Sequence, residues 1–391
     1  MDILLIGNGF DLEHKLPTTY RDFLTFCVAV TAIGKEQEKY VAKLSLTNIL
    51  EHWNPPSEIQ HKLQEALNCR SDSERPNTDN SKPHDIVRKI YSCIQDNLWL
   101  TYFKKRLSSL GGNWIDFEKE ISHVIQTLES VQDFLVQNSN INRLPDNLKS
   151  ETEEIISNFG NVWFIICNSK DTLLSFRDKL SHDLDKLIHA LEIYLSAFVN
   201  EIQILPEDIS PDIRHLHPQR VLSFNYSNTY ERVYGQNSDI NYCYIHGKAE
   251  LNSTVEASNL VLGIDEHFLD DRKKSHLDFL HFRKYYQRIY KATDNHYLDW
   301  ISNIHRFSRN SYTLYFFGHS LDATDKDVLH QLICNDNVQT KIFYYRKHEH
   351  DKRVLGQLIH NLVHILGPDE LIRRTGGSHK TIEFIPQTLR E

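Results

Sequence analysis

Five short polar clusters each follow an apolar run, and their glycines, asparagines, histidines and acids are residue types able to hold a ligand or move a proton. They read Gly7-Asn8-Gly9-Phe10-Asp11, Phe224-Asn225-Tyr226-Ser227-Asn228-Thr229, Ile245-His246-Gly247, Gly263-Ile264-Asp265-Glu266, and Gly318-His319-Ser320-Leu321-Asp322 with Asp325 beyond. An imidazole with an ordinary pKa near 6.5 suits base work at neutral pH, which makes His246 the candidate general base. Asn225 has the side chain to fix a hydroxyl or a water. Asp11, Asp265 and Asp322 are carboxylates of which one would orient the imidazole or balance a developing cation, and spacing does not choose among them. Taken singly, each residue has a bland alternative. Asn225, Asn228, Asp322 and Thr324 suit helix caps, and a histidine before glycine suits a turn.

Position is what singles these clusters out. The runs Ile3 to Ile6, Val221 to Phe224, Tyr242 to Ile245, Leu260 to Leu262, Thr313 to Phe317 and Lys341 to Tyr345 predict strands. Several are continuously apolar, as strands buried on both faces of a parallel sheet are. Helical spacing over Ala323 to Cys334 and Lys352 to Leu366 supplies crossovers. In an open α/β sheet the ligand crevice lies at the carboxyl ends of the strands, and glycine there lets backbone turn tightly against a ligand. Of only 14 glycines in 391 residues, Gly7, Gly9, Gly247, Gly263 and Gly318 stand at such ends. The Gly7 to Gly9 turn offers N–H groups to phosphate. It has Leu12 where a third glycine of GxGxxG would stand, and no Gly-Lys-Ser/Thr follows, so a nucleotide turn and an ordinary tight turn both stay open.

The expected fold is therefore α/β, a Rossmann-like parallel sheet flanked by helices, with a large all-helical insertion after the first strand. Residues 1–30 and 215–391 would form the nucleotide-binding domain and 31–214 the insertion. Its clearest element runs from Lys170 to about Gln203, where Leu173, Phe176, Leu180, Leu184, Leu187, Leu191, Leu195, Phe198 and Ile202 make one helical stripe, read as core rather than as a coiled-coil seam. The stretch Arg70 to Pro83 reads as surface loop or local disorder. Within Trp114-Ile115-Asp116-Phe117-Glu118, two acids two apart would diverge on a helix, so the reading is a helix start capped by Asn113 or an acidic first turn. The functional alternative is a helix that lids the crevice.

Composition narrows the partners. The chain is 40% hydrophobic and 25% charged with a net charge of -9, which excludes a disordered chain and a surface wholly given to nucleic acid. The stripe HFRKYYQRIYK at His281 to Lys291 has a nucleic-acid reading, including a nuclease, and a bland one in which long basic stems cover aromatic surface; the second is preferred. Six cysteines without a CxxC pair suggest neither zinc ribbon nor disulfide framework, and a reducing cytoplasm is the simplest location. No HExxH or two-His-one-carboxylate spacing occurs among the 22 histidines, so no metal is expected. The start MDILLIGNGF lacks the features of a signal peptide, and the apolar stretch Val162 to Cys167 is far too short to span a bilayer.

Six segments carry a resemblance: ILLIGNGFDLEHKLPTTYRDF, NWIDFEKEI, LSFNYSNTYE, YIHG, LGID and FFGHSLDATD. In this order they resemble the bacteriophage abortive infection AbiH family, which in turn resembles SIR2-like NAD-binding proteins. The resemblance implies that Gly7-Asn8-Gly9-Phe10 stands at the phosphate turn, with Leu16-Pro17 and Asp22-Phe23 echoing the segment beyond it. It implies Asn225 at the nicotinamide ribose, His246-Gly247 at the general base, and Gly318-His319-Ser320 with Asp322 and Asp265 on the cofactor. The four zinc-binding cysteines of deacetylase sirtuins are absent, so protein deacetylation is not implied. The function so implied is an antiphage effector that hydrolyses the nicotinamide N-glycosidic bond of NAD+ or a related nucleotide. The alternative is a non-catalytic nucleotide-binding sensor. A phage-derived trigger, a partner protein and a homo-oligomer stay open as partners.

Overall fold

Ile3, Leu4, Leu5 and Ile6 are almost wholly buried, because the strand they form has a neighbour on each side and a layer on each face. The computed structural model describes residues 1–35, 39–69, 82–111, 115–138, 143–160, 170–235, 239–251, 254–264, 277–306, 312–322, 325–378 and 380–390. Asp265, Asn113, Trp114, Thr324, Val162 to Cys167 and most of the Arg70 to Pro83 stretch lie outside them. The strands are β1 (Asp2–Ile6), β2 (Arg220–Ser223), β3 (Asn241–Tyr244), β4 (Tyr312–Phe317), β5 (Val338–Tyr344) and β6 (Ile382–Pro386). They make one sheet in the order β3-β2-β1-β4-β5-β6, with every pair parallel. That is the strand order of the dinucleotide-binding doubly wound fold, whose order reverses between β1 and β4.

Strand alternation divides the core into two layers. Ile3 and Leu5 join Leu222, Leu314, Phe316 and Ile342 on one face, covered by the helices Tyr297–Arg306, Lys326–Ile333, Arg353–Leu366 and Pro368–Thr375. Leu4 and Ile6 join Val221 and Phe317 on the other, beneath Phe10 of the helix Asn8–Glu13 and Tyr230 of the helix Thr229–Tyr234.

The chain divides into two compact units. One comprises Met1–Leu16, Gln203–Lys248 and Thr293–Glu391 and contains the whole sheet; the other comprises Pro17–Ile202 and Ala249–Ala292. The second is helical. Thr19 and Asp22 start its helix Tyr20–Gly34 with a reciprocal capping box. The long helix forms over Lys170–Tyr194 and widens into a π turn at Leu195–Val199, and every residue of the expected leucine stripe is buried.

The expected strand at Leu260 to Leu262 is not one. These residues are buried in the helical unit, where Gln287 substitutes for a neighbouring strand: its side chain accepts from Leu262 N and donates to Leu262 O, both at 3.0 Å. Lys291 Nζ donates to Leu260 O at 3.0 Å. Backbone polar groups satisfied by side chains need no ladder. Conversely, β6 went unread in the sequence; it is an edge strand that ends at Pro386, where a missing N–H costs nothing.

Candidate functional site

The carboxyl end of β1 is built by backbone packed against backbone. Gly7 N donates to Phe317 O at 3.2 Å and Gly9 N to Gly318 O at 2.8 Å, so the turn after β1 is laced to the turn after β4. A Cβ on Gly9 would stand 2.8 Å from Gly318 Cα, and one on Gly318 would stand 2.1 Å from Phe10 N. Gly318 also has φ +67, in the left-handed region that favours glycine. Phe10 N donates to Gly7 O at 2.8 Å. The N–H groups of Gly7, Gly9 and Phe10 thus already have carbonyl acceptors, and these glycines serve the close approach of two turns. Asn8 is exposed at the tip, whereas the Phe10 ring is core, edge-on to Phe317 at 6.1 Å.

Asn225, just beyond β2, ties a third strand end to this pair, its Nδ2 donating to Gly7 O at 2.9 Å. Asp11 is buried below. It accepts from Ser227 Oγ at 2.6 Å, and Ser227 accepts from Thr229 Oγ1 at 3.1 Å. Burial pushes the Asp11 carboxyl up to about 6, against the lowering effects of the Ser227 and Thr229 hydroxyls, the Arg232 charge and Asn225. Its Oδ1 is buried with no hydrogen-bond partner among the described residues. Asp11 therefore exchanges its proton close to neutrality.

The carboxylate that lies beside His246 is none of the three singled out in the sequence. It is Asp325. His246 Nε2 lies 3.3 Å from Asp325 Oδ1, and His319 Nε2 lies 3.5 Å from Asp325 Oδ2. Leu321 N donates to His319 Nδ1 at 2.9 Å, so in the neutral ring the proton sits on Nε2 and faces Asp325. That donation uses a left-handed backbone at Leu321, φ +55, a conformation costly for a branched side chain and held by burial of the leucine. Phe224, from the end of β2, packs edge-on against both imidazoles, with centroids 5.7 Å from His246 and 4.3 Å from His319. The three side chains are nearly enclosed, at 6% exposure for His246, 4% for His319 and 10% for Asp325.

The sheet thus brings Gly7, Gly9, Asp11, Asn225, His246, Gly318 and His319 together over the ends of neighbouring strands. Gly247, φ +88, turns the chain after His246. Ser320 is exposed, and its carbonyl accepts from Asn361 Nδ2 at 2.8 Å. Asp322 lies on the same turn, its carbonyl accepting from Asp325 N at 3.2 Å. Sequence reasoning missed Ser227 as the partner of Asp11 and Asp325 as the partner of His246. The first had a signal in its place two residues after Asn225. The second had one too, in an acid closing the FFGHSLDATD segment.

Other sequence candidates resolve differently. Asp116 caps the helix Phe117–Gln137, accepting from Glu118 N at 3.0 Å and Lys119 N at 3.2 Å. Within the helical unit Glu118 accepts from buried Lys284 at 2.8 Å, and Arg283, wholly buried, pairs with Glu129 at 2.5 Å. The basic-aromatic stripe at His281 to Lys291 therefore gives three of its cations, Arg283, Lys284 and Lys291, to ion pairs within the unit, the last with Asp185 at 3.2 Å. A grouping able to hold a metal comes from residues that local spacing does not connect, namely Cys243, Asp294 and His296. Among the described residues no helix is long and apolar enough to cross a membrane.

The sequence model of the family described as "Bacteriophage abortive infection AbiH" matches residues 3–345. No curated protein and no solved structure gives a significant match.

Proposed function

The chain belongs to the bacteriophage abortive infection AbiH family, and from that premise we propose that its strand-end crevice binds NAD+ or a related nucleotide and hydrolyses the nicotinamide N-glycosidic bond. The observation that carries this reading is the His246–Asp325–His319 group, set beside Asn225 at the carboxyl ends of a sheet with dinucleotide-fold strand order. In the reaction the C1′–N bond breaks, its electron pair leaves with nicotinamide, and a water oxygen bonds to C1′. One proton of that water must be taken up. Asp325 faces Nε2 of His246, so the opposite nitrogen, Nδ1, is the one that takes it, as in other sites where a carboxylate orients a histidine base. Asn225 positions the ribose or the water. Asp11, with a carboxyl that titrates at about 6, holds or releases a proton beneath them. With the N–H groups of Gly7, Gly9 and Phe10 already committed, the exposed side chains of Asn8 and Ser320 are the contacts offered to phosphate.

The near-complete enclosure of the trio favours a second reading, in which the same crevice senses a nucleotide without cleaving it. One experiment separates them. NAD+ is followed in cells carrying the wild-type chain, His246→Ala, Asn225→Ala or Asp325→Asn, each shown to be folded, before and after phage infection. Hydrolysis predicts NAD+ loss with wild type alone. Phage protection with NAD+ unchanged would sink hydrolysis and leave the sensor.

A further inference from the structure

Cys243 is the third residue of β3, an edge strand, and Asn241, two residues earlier, shares its side of the strand. Against them lies the stretch that leads into the helix Tyr297–Arg306 and carries Asp294 and His296, again two apart. The Cys243 Sγ, an Asp294 carboxylate oxygen and a His296 ring nitrogen all lie within 4.8 Å of one another. Three chemically different donors meet there in one sheet unit, from positions about fifty residues apart in sequence. Cys243 is buried, whereas the Asp294 and His296 side chains are 39% and 34% exposed, so the grouping is closed on the core side and open to water on the other.

The histidine is held as a ligand is held. Its Nε2 lies 2.9 Å from Asn241 Oδ1, and a carbonyl oxygen only accepts, so Nε2 carries a proton. Its Nδ1 then faces the Asp294 carboxylate, with which it makes a very short contact. The ring nitrogen and the carboxylate oxygen are thus turned toward one place, as two ligands of one ion are. Metal-bound histidines have this same arrangement, with the far N–H fixed by a carbonyl or carboxylate oxygen. The Trp300 ring, edge-on at 5.1 Å, fixes the imidazole plane further.

We infer that Cys243, Asp294 and His296 form a site for a divalent ion of the zinc class, three protein ligands and a water. The donor set selects the ion: thiolate and imidazole exclude calcium and magnesium, which take oxygen, and match zinc or cobalt. Binding converts the Cys243 thiol, which now donates to Asp294 O at 3.9 Å, into a thiolate and releases its proton. A second proton leaves Nδ1 if the ring was charged. The bound ion joins the Thr293 to His296 stretch to the edge strand three residues before His246.

The test uses the full chain, stripped with a chelator and loaded with Zn2+ or Co2+. One Zn2+ per chain is expected to survive gel filtration, and Co2+ is expected to give a thiolate-to-cobalt charge-transfer band. Cys243→Ala removes that band, and His296→Ala removes stoichiometric zinc. Asn241→Ala leaves all three ligands in place and weakens zinc roughly 10–100-fold, the usual effect of losing an outer partner of a ligating histidine. His360 and His364, an exposed pair with Nε2 atoms 3.3 Å apart, supply the control. The inference is overturned if no metal is retained after gel filtration, if zinc survives Cys243→Ala and His296→Ala together, or if zinc is lost only with His360→Ala.

Discussion

A carboxylate shared by two imidazoles governs both, so Asp325→Asn changes more than one contact. An amide presents one oxygen and one NH2 group, and it cannot face both His246 and His319 with a negatively charged oxygen as the carboxylate does. The variant is expected to melt close to wild type and, on the hydrolysis proposed above, to lose roughly a hundredfold or more of NAD+ turnover, mostly in kcat. A pH–rate profile whose acid limb is unchanged in Asp325→Asn would remove His246 from the role of base. Asp11 permits a prediction that needs no ligand. Its folded pKa of about 6 lies above that of a free carboxyl, so the folded chain holds a proton that the unfolded chain has released. The stability this gives is fully present below about pH 4 and is lost as pH rises through 6. Two pKa units correspond to about 3 kcal/mol, and denaturant melts of Asp11→Asn should lack that decline relative to wild type between pH 4 and pH 7. His246, Asn225 and His319 could be read from the sequence because each directly follows an apolar run. Asp325 could not be preferred to Asp11, Asp265 or Asp322, because choosing among carboxylates requires the path of the turn, and that path depends on the unusual backbone of Leu321.

At the level of elements, glycine separates two roles. Gly318 stands where a Cβ would overlap the backbone of the neighbouring turn, with φ +67, so Gly318→Ala should cost about 3 kcal/mol or more. Gly356 lies inside the helix Arg353–Leu366 with nothing within 4 Å of an added Cβ, so Gly356→Ala should stabilise by about 0.5–1 kcal/mol. Thermal melts of the two variants should shift in opposite directions. In the helical unit Lys284 is 1% exposed and its partner Glu118 17%, so Lys284→Met leaves a carboxylate largely buried and unpaired and should cost about 3 kcal/mol or more. Adding Glu118→Gln should recover part of that loss; a double variant no better than the single one would mean the pair contributes nothing through charge. The long leucine stripe and five of the six strands were legible because their apolar periodicity is unbroken. Leu260 to Leu262 misled because burial, not pairing, makes a segment apolar. The burial of Arg283 and Lys284 was hidden because the acids that neutralise them lie about 150 residues away.

In the whole molecule, the first sixteen residues have a weight out of proportion to their length. β1 pairs with β2 through Ile3–Arg220 to Ile6–Ser223 and with β4 through Asp2–Thr313 to Ile6–Phe317, so the sheet has no continuity without it. A chain made of residues 1–16, 203–248 and 293–391 joined by Gly/Ser linkers should unfold cooperatively in circular dichroism. The same chain without residues 1–16 should show no cooperative transition, and one that melts as sharply would mean that β2 and β4 can find each other alone. This dependence also sets a clock. β1 leaves the ribosome first, but its partner β4 follows ~300 residues later, roughly 15–60 s at ordinary rates of protein synthesis. The polar cluster draws on Asp11 and on Asp325, so no chain that stops short of residue 325 carries it whole. If the cluster is the site proposed above, the chain is inert until translation has passed residue 325, and ribosomes halted earlier would release only fragments without it.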